Sequence, residues 1–427
     1  MAAARAVISA RPPATAGRLV PLLGTGSLAG HRQRYGPLPD LPGPVLLDLV
    51  ERAGLRGRGG AGFPTARKLR AVAGNAGRPV VVANGCEGEP TNAKDHALLS
   101  LAPHLVLDGA VLAAQAVGAR RVIICVHRGS SHAADLGAAI AERGADPVDI
   151  ELALVPPRYV ASEESALVRY LNTGEARPLA TPPRPFQRGV DGQPTLVDNV
   201  ETLAHLATIA AWGPAWFREL GTASDPGSTL VTMGGAVSRP GVYEIALGST
   251  LRETLELAGP HPDASAALVG GYFGEWVALP AGDRLPITHD GGGPHSASIG
   301  AGGIQALPGD ACGLAETARV LGYLAAESAG QCGPCRFGLP AVAAQLHTLA
   351  VSRLDQPGYR QLVHRLGVIP GRGACKHPDG AIRLAASALR VFAEDVRIHL
   401  SGYICGGLRH PPVLPVPHPG AIAPDWR

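Results

Sequence analysis

The stretch Gly54-Leu-Arg-Gly-Arg-Gly-Gly-Ala-Gly62-Phe-Pro-Thr65 constrains this chain more than any other. Glycine is entropically costly in helix and strand alike, so the run predicts a loop. The bare N–H groups of such a loop can converge on an anion, and Arg56, Arg58 and Lys68 add positive charge around it. Its spelling contains Gly57-x-Gly59-x-x-Gly62, but a Rossmann glycine turn must follow a buried strand. Here the preceding residues 44–54 have helical spacing, with a proline at their start and a glycine at their end. The expectation is a phosphate-cradling loop between two helices.

A chain of 427 residues has room for two or three domains. Its 38 basic and 35 acidic residues nearly cancel, which argues against nucleic acid as a partner. With 46% apolar residues the abundant Gly and Pro do not signal disorder. No segment reaches the roughly 18 to 20 apolar residues of a membrane span, and the N-terminus lacks a secretory pattern. Seven cysteines, two of them in a C-x-x-C, favour a reducing compartment and metal or redox use over disulfides. The expected location is the cytoplasm, with any membrane reached through a partner at its inner face.

Residues 1–45, rich in Pro, Gly and Arg, read as an irregular arm. From 46 to 224 short β-branched runs (79–84 and 121–126) alternate with helical spacing (103–118 and 131–144), which implies an α/β layer domain. Residues 229–245 read as two strands around a Pro-Gly turn, and 249–259 as a capped helix, which suggests a β-grasp module over 225–300. Residues 301–405 have an almost wholly helical pattern, and 406–427 form a proline-rich tail.

Three further constellations carry chemistry. Asn84-Gly-Cys-Glu-Gly-Glu-Pro-Thr-Asn-Ala-Lys-Asp95 follows a strand, where an open α/β sheet places ligand contacts, although a solvated turn has the same composition. Ser162-Glu-Glu opens a helix, and its acids suit capping as well as ligand binding. Cys332-Gly-Pro-Cys335 with Cys375 is open to zinc, an iron–sulfur cluster or a redox dithiol. Structural zinc and most clusters want four ligands, so three cysteines fall one short. Cys86, Cys125, Cys312 and Cys405 read as buried small hydrophobes.

Together with Pro194-Thr-Leu-Val-Asp-Asn-Val-Glu-Thr202 and Glu327-Ser-Ala-Gly-Gln-Cys-Gly-Pro-Cys-Arg-Phe-Gly338, these runs occur in an order that resembles the NADH-binding flavoprotein subunit of respiratory complex I. Relatives of that subunit serve hydrogenases and formate dehydrogenases. Over residues 45 to 400 the resemblance implies a multidomain α/β protein. Its parts would be a Rossmann-like flavin domain, a ubiquitin-like soluble-ligand-binding (SLBB) β-grasp domain and a C-terminal helical iron–sulfur domain. It places Gly57, Arg58, Gly59, Gly60, Ala61, Gly62, Phe63 and Lys68 against flavin mononucleotide (FMN) and NAD(H). It puts Asn84 and Asn199 on FMN, Glu89 and Glu164 near the nicotinamide nucleotide, and Glu87 and Thr202 among the cofactor contacts. Cys332, Cys335 and Cys375 become thiolates of a 4Fe-4S or 3Fe-4S cluster. By the same resemblance, no side chain need act as a general acid or base.

The departures from the family pattern matter as well. Ala329 stands at the first cluster cysteine, so a three-iron cluster, a non-cysteine ligand such as His377, or loss of the cluster all stay open. Cys86 replaces an aspartate that bonds the flavin, and Leu69 and Ala71 replace aromatic residues, leaving Phe63 alone to stack on adenine. The implied activity is hydride transfer from NADH to FMN, then single electrons to the cluster and a partner. That partner would be a ferredoxin, a thioredoxin-like iron–sulfur subunit or a membrane reductase. The alternative is a flavin and iron–sulfur module that no longer uses NADH and is loaded by a ferredoxin or membrane reductase.

Overall fold

In a computed structural model, residues 17–20, 26–144, 146–291, 295–417 and 426–427 are described. Helix α1 (Leu28–Tyr35) buries His31 and Tyr35, and Leu19, Val20 and Tyr35 join the core. The reading of residues 1–45 as irregular is therefore corrected over 28–35; residues 1–16 lie outside the described part. Helix α2 (Gly43–Ala53) starts at Pro44 and stops at Gly54, whose φ of 73° provides a left-handed cap. The glycine run then leads into α3 (Thr65–Ala73). A loop between helices is what the residue pattern predicts.

There follow β1 (Val80–Asn84), α4 (Lys94–Leu101), α5 (Pro103–Val117), β2 (Arg121–His127), α6 (Ala133–Glu142), β3 (Asp149–Val155), α7 (Glu164–Thr173), β4 (Thr195–Asn199) and α8 (Val200–Phe217). The four strands form a parallel sheet in the order β3-β2-β1-β4. The chain runs outward from β1 through β2 and β3, then returns to place β4 on the other side of β1. Strand order thus reverses between β1 and β4, and an open α/β sheet offers its ligand crevice at the carboxyl ends of such strands. Among the described residues no single helix is long and apolar enough to cross a membrane; the apolar α5 is core, with all but one of its residues buried.

A second sheet comprises β5 (Ser228–Gly235), β6 (Gly241–Ala246), β7 (Ala264–Val269), β8 (Glu275–Ala278) and a later strand, with α9 (Leu251–Ala258) inserted after β6. Thr250 and Glu253 cap α9 reciprocally, and Gly259 ends it. The short pair β9 (Ile287–Thr288) and β10 (Ala297–Ser298) precedes β11 (Gly303–Pro308), which enters the sheet between β5 and β7. The β-grasp boundary expected at 300 is therefore too early, because β11 pairs with residues 35 to 71 positions earlier, which local pattern does not reveal. The chain then becomes helical: α10 (Gly313–Ala326), α11 (Leu339–Ala350), α12 (Gln356–Val368), α13 (His377–Val391) and α14 (Ala393–Leu400) share one apolar core. The tail is not free of the fold. Leu414 is buried, and Trp426 packs beneath the Arg158 guanidinium while its carbonyl accepts the Ala176 N–H.

Candidate flavin crevice and thiol group

Asn84 and Asn199 end β1 and β4 as register partners on either side of the strand reversal. Asn199 also caps α8, accepting the Glu201 N–H at 3.0 Å, while its amide donates to Asp95 at 2.7 Å. Asn84 donates to the Ser162 carbonyl at 2.8 Å and accepts the Cys86 N–H at 3.1 Å. Above them lies the glycine loop. A β-carbon at Gly59 would sit 3.4 Å from that of Asn199.

The loop is closed at its neck by Gly57 N–H to the Phe63 carbonyl and Thr65 N–H to the Leu55 carbonyl, both 2.9 Å. Its tip is exposed at Gly59, Gly60 and Ala61, and among the described residues no carbonyl accepts from the N–H groups of residues 59–62. Gly60 has a φ of 103° and Gly62 one of 58°, conformations that side chains disfavour. Gly62 also lies so close that a β-carbon would meet His289 at 2.9 Å. A row of free donors beside a helix N-terminus fits an anionic phosphate.

Both arginine side chains are held by protein groups. Arg56 is spent on the Gly62 carbonyl at 2.7 Å and on Asp290 at 2.5 and 2.6 Å. Arg58 is only 3% exposed and turns inward. It donates to the Arg56 and Ser228 carbonyls at 3.0 and 2.9 Å, meets His289 at 2.9 Å and lies 3.8 Å from Glu201. Its backbone N–H donates to the Thr202 hydroxyl at 2.8 Å, so Thr202 holds the loop. A buried guanidinium needs carboxylate and carbonyl partners, and the β5 edge and Glu201 supply them. Sequence did not connect Asp225 and His289, paired at 2.8 Å, to this network.

Lys68 does reach the crevice. Its ammonium lies 3.3 Å from Asp198 and 3.6 Å from Glu164 and donates to the Val197 carbonyl. Burial works against its charge, but Asp198 and Glu164 outweigh that and hold it above the ordinary lysine value. One Asp198 oxygen stays buried without a hydrogen-bond partner among the described residues. Beneath Asn199, Lys94 bridges Asp95 at 2.7 Å and Glu201 at 3.0 Å. Burial would neutralise Glu201, yet Lys94, His205 and Arg58 keep it ionised.

Glu89 is held by protein donors. Its carboxylate accepts from Tyr159 OH and Tyr272 N–H at 2.8 Å and from the hydroxyl and N–H of Thr91 at 2.9 and 3.3 Å. Four donors around a buried carboxylate make a structural tie. Glu87 accepts from Asp95 and His96 N–H at 3.0 and 3.1 Å and so caps α4. Glu164 keeps partial exposure, and Phe63 is 48% exposed with the Arg67 guanidinium 5.6 Å from its ring.

Cys335 sits in a π-helical turn (Pro334–Gly338) that precedes α11, with Cys332 just before it. Burial, with Cys332 and Cys375 beside it, pushes the Cys335 thiol up. Cys375 is pushed up to about 11 by burial, with Glu163 and Cys332 adding to the shift. Cys332 and Cys375 both lie near enough to Cys335 to oppose its ionisation, and a bound metal's positive charge would reverse that. Ala329 packs on the same core and offers no ligand atom. His377 has its Nε2 committed to the Leu324 carbonyl at 2.7 Å, with its ring edge-on to Tyr159 and Phe273, while its Nδ1 is buried with no hydrogen-bond partner among the described residues. The thiol loop docks on the α/β unit through Gln331 to the Pro178 carbonyl at 2.8 Å and Glu327 to Arg158 and Tyr159 N–H at 3.1 and 2.7 Å.

Residues 50–208 match the family described as Nuo51 FMN-binding domain, residues 230–269 the SLBB domain, and residues 315–399 the NADH-ubiquinone oxidoreductase-F iron-sulfur binding region. The NADH-quinone oxidoreductase F subunit of Mycobacterium bovis is 30% identical over 385 residues, covering 86% of each chain. The Escherichia coli protein of the same name is 32% identical, again covering 86% of each chain. NADP-reducing hydrogenase subunit HndC of Solidesulfovibrio fructosivorans is 30% identical over 89% of this chain and 80% of its own. Among solved structures, the NAD+-reducing NiFe-hydrogenase in the H2-reduced state superposes with a TM-score of 0.78 at 31% identity. That match covers 84% of this chain, which spans 63% of the hydrogenase chain.

Proposed function

This chain belongs to the family of the NADH-quinone oxidoreductase F subunit, and we propose that it is an NADH:acceptor oxidoreductase component using FMN and an iron–sulfur centre. The observation that carries this reading is the crevice at the strand reversal, floored by Asn84 and Asn199 and roofed by a glycine loop with a free donor row. A flavin bound there would supply hydride acceptance from NADH, and a cluster on the thiols one-electron transfer.

In this reading the loop donors of residues 59–62 and the N-terminus of α8 offset phosphate charge, and the two asparagines orient the flavin ring. Lys68, held cationic by Asp198 and Glu164, supplies charge beside the ring without a proton to transfer. Glu164 faces the nucleotide and repels a 2′-phosphate, which favours NADH over NADPH. Phe63 offers one exposed face for adenine, so nucleotide affinity is modest. Arg58, Thr202 and Glu89 act by fixing the loop and the 87–91 turn. Cys332, Cys335 and Cys375 hold the cluster through three thiolates, which leaves one corner without a protein sulfur.

The limits 46–224 for the flavin unit and, with β11 left to the second sheet, 309–405 for the iron–sulfur unit belong to this reading. Burial of Leu19 and Trp426 in the respective cores supports extending each unit into its flank. The subunit works in the cytoplasm, handing electrons to a partner such as a thioredoxin-like iron–sulfur subunit or a ferredoxin. Denaturing the purified chain and identifying released flavin tests the cofactor assignment. One FMN per chain is expected; flavin that stays substoichiometric after incubation with FMN would contradict it.

A further inference from the structure

Helix α10 begins at Cys312 and ends before the thiol loop; its 14 residues span roughly 20 Å. At that far end, Cys312, Cys405 and His399 come together, with both sulfurs and a ring nitrogen within 4.8 Å of one another. Two stretches distant in sequence build this cluster, the start of α10 and residues 399–405 at and beyond the end of α14. Cys312 caps α10, its sulfur accepting the Ala315 N–H at 3.4 Å. Its own N–H donates to the Gly407 carbonyl at 3.2 Å, which pins the loop carrying Cys405. A β-carbon at Gly407 would meet the Cys312 nitrogen at 2.5 Å, so this approach needs glycine.

His399 supplies the observation that points to a ligand. It is fully buried, and its Nδ1 meets the Leu349 carbonyl at 3.0 Å. A carbonyl only accepts, so Nδ1 carries the proton and Nε2 keeps its lone pair. That Nε2 is buried with no hydrogen-bond partner among the described residues. A histidine fixed by a backbone carbonyl on one nitrogen, with the other bare, is the arrangement metal-ligating histidines adopt. An unpaired buried acceptor is otherwise costly.

We propose that Cys312, Cys405 and His399 form a second metal site, for a thiophilic divalent cation with zinc foremost, separate from the Cys332, Cys335 and Cys375 group. Two thiols release their protons to solvent as the cation binds, so a neutral imidazole and two thiolates leave the site without net charge. That balance suits a buried position. The fourth position is for water: Cys405 lines a cleft of about 840 Å³, with Asp310, Asp395 and His410 on its walls, which gives the cation a way in.

The test is metal analysis of the full chain, purified anaerobically and incubated with one equivalent of zinc before desalting. About one zinc per chain is expected, in addition to any iron. Cys405→Ser should lose that zinc and keep its iron and sulfide, while Cys332→Ser should do the reverse. Cobalt in place of zinc should give thiolate charge-transfer bands and the intense visible bands of a tetrahedral ion, in the parent and in Cys332→Ser alike. This spectrum decides the matter if Cys405→Ser fails to fold. Zinc or cobalt that follows Cys332 instead of Cys405 would overturn the proposal. So would a chain that retains no zinc, or a Cys312–Cys405 disulfide found by alkylation of the anaerobic protein.

Discussion

Replacing Arg58 with alanine separates two roles that sequence alone assigns to the same residue. If the guanidinium contacted a phosphate, its loss would weaken flavin binding and leave the flavin-free protein as stable as before. The structure instead buries it between the Arg56 and Ser228 carbonyls, His289 and Glu201. Truncation strips two carbonyls of their donor and leaves Glu201 to Lys94 and His205. Removing one member of a buried charged network costs about 3–5 kcal/mol. At roughly 2–4 °C per kcal/mol for a unit of this size, the melting temperature should fall by on the order of 6–20 °C. The assay is thermal unfolding of flavin-free Arg58→Ala by circular dichroism, alongside Lys68→Ala. The Lys68 side chain is about a quarter exposed, and its loss leaves the buried Asp198 without a cation, so its variant should lose less stability than Arg58→Ala but bind FMN more weakly. Arg58→Ala that melts with the parent while losing FMN affinity would refute the inward role.

Gly60→Val places a β-branched residue at a φ of 103° with neighbours no closer than 3.7 Å, so strain, not a clash, remodels the tip. FMN affinity should fall about tenfold or more, about 1.4 kcal/mol, measured by fluorescence titration. Burial, with Asp95 beside it, pushes Glu87 up to about 7. The folded chain therefore keeps a proton that the unfolded chain loses above about 4.5, and this residue's contribution makes stability fall as pH rises from about 4.5 to 7. Denaturant melts of Glu87→Gln should show a smaller loss across that window; an unchanged pH slope would reject the shift. Ala329→Cys restores a fourth thiol, and should raise iron and acid-labile sulfide retained after air exposure and change the electron paramagnetic resonance of the reduced protein. No gain in retained iron would mean that position 329 does not face the cluster.

The parts of the fold set by local chemistry were legible. Pro44 and Gly54 bound α2, Thr250 and Glu253 cap α9, and the glycine run closes into a loop between helices, each within a dozen residues. What escaped depends on pairs distant in sequence. Arg58 has the look of a phosphate ligand until β5 and Glu201 are brought to it, and Glu89 that of a ribose acceptor until Tyr159 and Tyr272 fill it. The pairing of β11 with β5 and β7 carries the second sheet past residue 300. Cys312 and Cys405, read singly as small hydrophobes, become a ligand pair only through the fold, with a histidine that no motif flags.

The central claim is tested most directly by anaerobic titration of the FMN-loaded chain with NADH, following flavin absorbance in a stopped-flow instrument. The account predicts bleaching of the flavin by stoichiometric NADH, faster than by NADPH. Flavin that stays oxidised with excess NADH, yet is bleached by a reduced ferredoxin, would contradict it.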